Sequence, residues 1–278
     1  IVPLHACVAD AYTSAPAPVS AILTGGVVKS LGIYALIRLS YNVFGMSPLL
    51  STIFMYSGVF SIIIGVLMAL GQWNFRRLLA YHSISQMGYI ILAFGIGTPL
   101  AIAGGIFHIL NHSLFKSLLF LDAGSVEYET GESNLTKLGK LSKKMPVTTL
   151  SSLVASLSIS GIPPFNGFWS KLIIIIAAVQ AGRPGMALWA VIGSILTLAS
   201  FSKIQRYAFF GNGENFSEQL LSGINEVPFL MMISMIVLAI FCSFAGLLFV
   251  GGLDGIFGPV VNALTGGPDS YITRIFGK

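Results

Sequence analysis

The sequence predicts an all-α protein, a polytopic membrane helix bundle of about seven transmembrane helices with one of them broken, forming a single transmembrane domain over residues 1–278. Two observations predict it. Hydrophobic residues make up 55% of the chain and charged residues only 9%, with a mean hydropathy of +0.85, so there is too little charge to clothe a soluble core. Apolar runs of about 20 residues recur along the chain, the length that crosses a ~30 Å hydrocarbon slab as a helix. The net charge of +5 is what Lys and Arg in membrane-flanking loops produce, and it implies no nucleic-acid partner.

Read with a window of about 19 residues, the spans fall near 17–41, 49–71, 78–96, 99–124, 147–181, 184–210 and 226–252. The first carries Lys29 between Gly25-Gly26 and Gly32, small residues that permit close helix approach. The third follows Gln72-Trp73-Asn74 and the pair Arg76-Arg77, which read as anchors, with an electrostatic role open for Arg76. The fifth is too long for one straight crossing. Gly161-Ile162-Pro163-Pro164-Phe165-Asn166-Gly167 lies in its middle, where two prolines remove donors, so the helix breaks near 161–167. Unwound backbone at membrane depth needs protein or water partners; a break beside Lys171 marks either a polar cavity or a packing kink. Lys203 and Arg206 end the sixth span and snorkel toward water. The stretch from Asp122 to Pro146, with Glu127, Glu129 and Glu132 ahead of its lysines, reads as the longest polar connection and a solvated face.

Loop charges set the orientation. Arg76, Arg77, Lys137, Lys140, Lys143, Lys144, Lys203 and Arg206 collect on one side, against Arg38, Arg183, Arg274 and Lys278 on the other. The first side is then cytoplasmic, the start of the chain inside and its end outside. The chain opens at Ile1-Val2-Pro3-Leu4-His5 with no start methionine and no signal peptide, which reads as the middle of something longer.

Five ionisable residues sit inside these apolar stretches: Lys29, His108, His112, Lys116 and Lys171. A charge at the bilayer centre costs roughly 2.5–3.5 kcal/mol, so such residues mark functional sites facing a protein or water interior. Lys29 lies about 12 residues into its helix, roughly 18 Å by rise per residue, and is near mid-membrane. His108, His112 and Lys116 recur every four residues, forming one stripe about 12 Å long on a helix. Histidine passes protons between its two ring nitrogens near neutral pH, so the stripe suits a proton relay; three polar residues satisfying one another in a bundle core would look the same. A metal site is not implied, since no HExxH pattern or third ligand accompanies the histidines and Lys116 would repel a cation. Cys7 and Cys242 stand far apart without a CxxC, so no redox metal or other cofactor is expected in this chain.

Several runs resemble one family: Pro3-Leu4-His5, Ala9-Asp10-Ala11 and Ala15-Pro16-Ala17-Pro18-Val19-Ser20-Ala21, like the loop leading into a central lysine helix; Arg76 through Tyr89; His108 through Lys116; and Gly161-Ile162-Pro163-Pro164 with Gly167-Phe168-Trp169-Ser170-Lys171. Together they are similar to antiporter-like ion-translocating subunits of respiratory complex I, membrane-bound hydrogenases and multisubunit Na+/H+ antiporters. The resemblance covers residues 3 to about 171; beyond that only hydropathy matches. It implies about fourteen helices in the family, with two inverted five-helix repeats, of which this chain holds the second repeat and the C-terminal helices. It further implies that Lys29 is the central lysine of a proton path, that His108, His112 and Lys116 are links on the next channel-lining helix, and that Lys171 is the outward terminus. At Arg76 many relatives carry lysine, and an arginine does not deprotonate. The function so implied is a non-catalytic, proton-translocating subunit of a redox-driven complex in a prokaryotic cell membrane. Its partners would be the lipid bilayer, other membrane subunits and whatever supplies the first repeat, and its cargo H+ or Na+. A subunit of a stand-alone Na+/H+ antiporter, and a truncated remnant with no transport of its own, are the alternatives.

Overall fold

The structure, a computed structural model, describes residues 6–249 and 253–268. Pro3-Leu4-His5, Arg274 and Lys278, used above for the family resemblance and for orientation, lie outside the described residues. The fold is all-α: α1 (Ala6–Ser14), α2 (Ala17–Val43), α3 (Pro48–Leu70), α4 (Phe75–Ile96), α5 (Pro99–Thr130), α6 (Pro146–Ser160), α7 (Asn166–Gln180), α8 (Pro184–Phe210), α9 (Phe229–Leu247) and α10 (Leu253–Thr265). Five of these are long and apolar enough to cross a membrane, α2, α3, α4, α8 and α9. The shorter apolar helices α6 and α7 are the two halves of the broken helix. Local chemistry sets the starts: Ser47, Asn74 and Thr98 each accept a backbone N–H of the first turn, and Pro48 and Pro99 occupy the first helical position, where no donor is lost.

Two readings of the sequence change. The segment through Ala9-Asp10-Ala11, read as a loop, is the short helix α1; at 9 residues it cannot cross a bilayer and gives no hydropathy signal of its own. The polar connection does not begin at Asp122. Helix α5 runs on to Thr130, burying Asp122 completely, and the loop proper starts at Gly131, whose φ of 66° ends the helix. There Glu132 accepts the backbone N–H groups of Ser133 and Asn134 and pairs with Lys137 at 2.9 Å. Two isolated bridges, Asn74 with Asn134 and Gly139 with Asn212, tie this loop to the start of α4 and the end of α8, so most of the basic loop residues gather at one end of the bundle.

Helix α4 is the axis of the bundle. It is the least hydropathic of the five long spans, at 1.2, yet 94% of its window is buried, whereas α9 has hydropathy 2.5 and is 17% buried. Lipid-facing helices are the greasy ones, and α4 carries His82, Ser83, Ser85 and Gln86 because it faces protein on every side. It packs against α3 through glycines seven residues apart on each helix. A Cβ at Gly58 would stand 2.7 Å from Leu92 N, at Gly65 2.5 Å from Ser85 N, at Gly88 2.6 Å from the Gly58 carbonyl oxygen, and at Gly95 2.6 Å from Met55 N. Without Cβ atoms the two backbones come into direct contact. On α2, by contrast, only Gly25 serves close approach, against Ser113 and Ser117 of α5; Gly26 and Gly32 face open space. Lys203 reaches the carbonyls of Leu70 and Gln72 at 2.8 and 2.6 Å, completing the C-terminal end of α3.

Gly88→Ala should therefore lower the thermal stability of the membrane-extracted protein by about 1–3 kcal/mol of overpacking. Gly26→Ala should leave the melting temperature unchanged or slightly raised, by helix propensity. Equal effects of the two would refute the glycine seam.

Candidate functional site

The five ionisable residues picked out by sequence fall into one buried column. Lys29 is carried by α2 two residues beyond a π-helical stretch, Leu23–Val27, which widens the helix turn ahead of it. Its stem is partly exposed, but its ammonium nitrogen is buried and makes no hydrogen bond among the described residues; it lies 4.7 Å from the centroid of the Tyr12 ring on α1. The aromatic face supplies partial charge compensation without a hydrogen bond. Its charge interacts with that of Lys116.

On α5, His108, His112 and Lys116 lie on one inward face, none more than 1% exposed. Lys116 Nζ donates to the Leu79 carbonyl of α4 at 2.5 Å and lies 5.8 Å from the Phe120 ring. His112 interacts electrostatically with Lys29, Lys116 and His108, and its Nε2 has no hydrogen-bond partner among the described residues. His108 is held at both ring nitrogens: Nδ1 lies 2.9 Å from Ser170 Oγ on α7, and Nε2 lies 3.2 Å from Gln86 Oε1 on α4. His108 also feels the charge of Lys171, the residue after Ser170.

Lys171 sits where the helix breaks. Helix α6 stops at Ser160, with Gly161 at φ 78°, and α7 starts at Asn166. The last carbonyls of a helix have no intrahelical donor, and Lys171 Nζ serves one of them, bonding Ile159 O at 2.7 Å. It also lies 4.6 Å from the Tyr89 ring, whose hydroxyl donates to Ala190 O at 2.6 Å. Asn166 steadies the other lip: Ser158 Oγ donates to its side-chain oxygen, and Asn111 Nδ2 donates to its carbonyl at 3.0 Å. Lys171, Ser160, Gly161 and Ser194 line one part of a cleft of about 210 Å³ beside the break, and Ile162, Leu172, Ile175, Val191, Ile195 and Leu198 make the rest of it apolar, so the break opens a mostly apolar cleft and not a polar cavity.

Sequence reasoning passed over His82. It lies on α4, fully buried, with Nε2 2.8 Å from Ser200 Oγ of α8, and its ring feels the charges of Lys116, Lys171 and Lys203. The signal was available as a histidine inside an apolar span beside Ser83, Ser85 and Gln86. Arg76 lies apart from the column at the basic end. Its guanidinium grips Glu127 with two contacts of 3.1 Å and donates to Ala15 O at 2.7 Å, tying α4 to α5 and to the turn that leads into α2. Among the described residues no group of three metal-ligating side chains occurs.

The chain as a whole is similar to known membrane proteins. Residues 1–197 match the family described as NADH:quinone oxidoreductase/Mrp antiporter, TM. The chain is 36% identical over 244 residues to a Na(+)/H(+) antiporter subunit of Alkalihalophilus pseudofirmus, covering 87% of this chain and 49% of that protein. It is 33% identical over 268 residues to formate hydrogenlyase subunit 3 of Escherichia coli, covering 88% and 43% respectively. A chain in the structure of the Mrp complex from Dietzia sp. superposes with a TM-score of 0.86 at 29% identity, covering 95% of this chain and 56% of the other. The chain thus spans about half or less of the length of these relatives.

The Arg76–Glu127 fork should show a coupling energy of about 1–3 kcal/mol in a double-mutant cycle with Arg76→Ala and Glu127→Ala, read as protein stability. A coupling near zero would demote it to an ordinary surface pair.

Proposed function

Because the chain belongs to the transmembrane family of NADH:quinone oxidoreductase and Mrp antiporter proteins, we propose that it carries protons across the membrane through the column from Lys29 to Lys171, as part of a larger membrane complex. The observation that supports this most directly is that the charged and ring atoms of these groups are buried in one interior, with His108 on α5 bonded to Ser170 next to Lys171 on α7. Each titratable group of the column interacts electrostatically with the next, Lys29 with Lys116, His112 with both, His112 with His108, and His108 with Lys171. The Lys29 ammonium and His112 Nε2 are buried without hydrogen-bond partners among the described residues, as are amide atoms of Gln86, Asn111 and Asn166 around them, so the interior is polar and not closed by its own hydrogen bonds. Titratable groups in such an interior are candidates for proton exchange.

In this reading Lys29 takes a proton from the basic end of the bundle, which the loop charges assign to the cytoplasm. His112 and Lys116 receive it, and His108 passes it by way of the Ser170 hydroxyl to Lys171, whose cleft is the release site. The driving event is a charge rearrangement in another part of the complex. Two unit charges 4 Å apart repel by about 4 kcal/mol at an effective dielectric of 20, so moving one charge displaces the next proton along the line. Redox chemistry, if the complex performs any, belongs to partner subunits.

A second reading takes the complex to be a stand-alone Na+/H+ antiporter. It draws on the relative named as part of a Na(+)/H(+) antiporter and on the fit to the Mrp complex chain. The same column serves both readings, and the ion that accumulates decides between them.

In membrane vesicles carrying the intact complex, Lys29→Ala should abolish coupled ion movement, followed with a pH-sensitive dye and with sodium flux, while assembly stays largely intact. Pumping at the normal stoichiometry would remove Lys29 from the central position. Lys171→Glu should retain substantial transport and Lys171→Ala should lose it, because the terminus needs a group that titrates. Equal loss in both would argue against a titrating role.

A further inference from the structure

Tyr89 is fully buried on α4, and its ring meets two members of the column. The Lys171 ammonium nitrogen lies 4.6 Å from the ring centroid, and the His108 ring lies 5.7 Å from it, centroid to centroid. The Tyr89 hydroxyl reaches α8. It donates to Ala190 O at 2.6 Å, and with its one proton placed there it accepts from Ser194 Oγ at 2.9 Å. Gly193 keeps that space open: a Cβ there would stand 3.0 Å from the hydroxyl oxygen and 2.2 Å from Ile62 Cγ2. A ring tied twice at its hydroxyl and closed in by a neighbouring helix keeps one orientation, so the face offered to Lys171 is set in advance.

Lys171 has little else to hold it. An ammonium carries three donors, and among the described residues it makes one hydrogen bond, to Ile159 O at 2.7 Å. The two hydroxyls of the cleft beside it are engaged elsewhere, Ser160 with Ser156 O at 2.6 Å and Ser194 with Tyr89. A ring face attracts a cation through its quadrupole and has far less hold on a neutral amine, so Tyr89 distinguishes the two protonation states of the lysine. Of the helices packed against α7, α5 faces Lys171 with His108 and α4 with His82 and Tyr89. Helix α6 carries no titratable side chain, α8 only Lys203, Arg206 and Tyr207 at its basic end, and α9 only Cys242, whose charge interaction is with Asp122.

We propose that Tyr89 is a positioning residue for Lys171: its ring face holds the charged side chain at the broken end of α6, and that hold loosens when the lysine gives up its proton. What this does for transport rests on the proton-carrying reading above; the dependence of Lys171 on the ring does not.

Nitrogen-15 NMR of the intact complex tests it, with the Lys171 side-chain signal assigned by its absence in Lys171→Met and followed through a pH titration. Tyr89→Phe, and versions of it bearing one, two and three ring fluorines, keep the ring while draining charge from its face. The midpoint of the Lys171 titration should move stepwise with the number of fluorines. Tyr89→Leu, which has no face, should differ from Tyr89→Phe by about tenfold in the proton affinity of Lys171. The same steps should appear in a Lys29→Ala background, so a failure of the column assignment leaves this readout standing. Should Tyr89→Leu not assemble, the fluorinated series, whose members are close in size, carries the test alone. A midpoint that ignores the fluorines would overturn the proposal, as would equal midpoints in Tyr89→Leu and Tyr89→Phe, or a Lys171 signal that keeps one charge state at every pH.

Discussion

Three ammonium groups buried among the helices, those of Lys29, Lys116 and Lys171, are the constraint on which the arrangement of this bundle turns. Lys116 and Lys171 each find a backbone carbonyl, from the mid-bundle helix α4 and from the broken end of α6, and Lys171 adds the face of Tyr89. Lys29, among the described residues, has the face of Tyr12 and no hydrogen bond. In low dielectric a carbonyl and a ring face offset part of the cost of a charge and leave the remainder to be met by moving protons. The broken helix is thus part of the electrostatics: its exposed carbonyls are what hold Lys171 at the cleft.

The same constraint explains the order of the helices. A membrane reverses the rule for soluble cores, because the solvent itself is apolar, so the most apolar helix, α9, lies at the edge and the most polar long span, α4, lies at the centre. Hydrophobic contrast with lipid cannot drive α4 inward, and close backbone packing takes its place. The glycines shared by α3 and α4 supply that packing on one side, and the hydrogen bonds of His82 and Tyr89 to α8 supply it on another. Asp122 of α5 follows the same logic, with the Ser151 hydroxyl of α6 as its partner.

The column was legible because Lys and His inside apolar runs are expensive, and the i, i+4 spacing alone puts three of its members on one helix face. The helix break was legible from Pro163-Pro164 between glycines. What escaped was whatever carries no hydropathy signal. Helix α1 is too short to register, and a window average cannot tell that α5 continues past Asp122 into charged sequence, so a buried acid read as the edge of a loop. His82 was hidden by its surroundings: a lone histidine among serines looks like tolerated polarity until α8 is seen against it. Gly26 and Gly32 erred the other way, since a small residue marks a helix contact only when a partner backbone is there.

The central claim is that Lys29 and Lys116 share one electrostatic environment, so that the proton on one depends on the charge of the other. Nitrogen-15 NMR of the lysine side chains in the intact complex reads this directly, following the Lys29 resonance through a pH titration with and without Lys116→Met. The titration of Lys29 should move when the charge at 116 is removed. A Lys29 titration that is identical in both proteins would contradict the account.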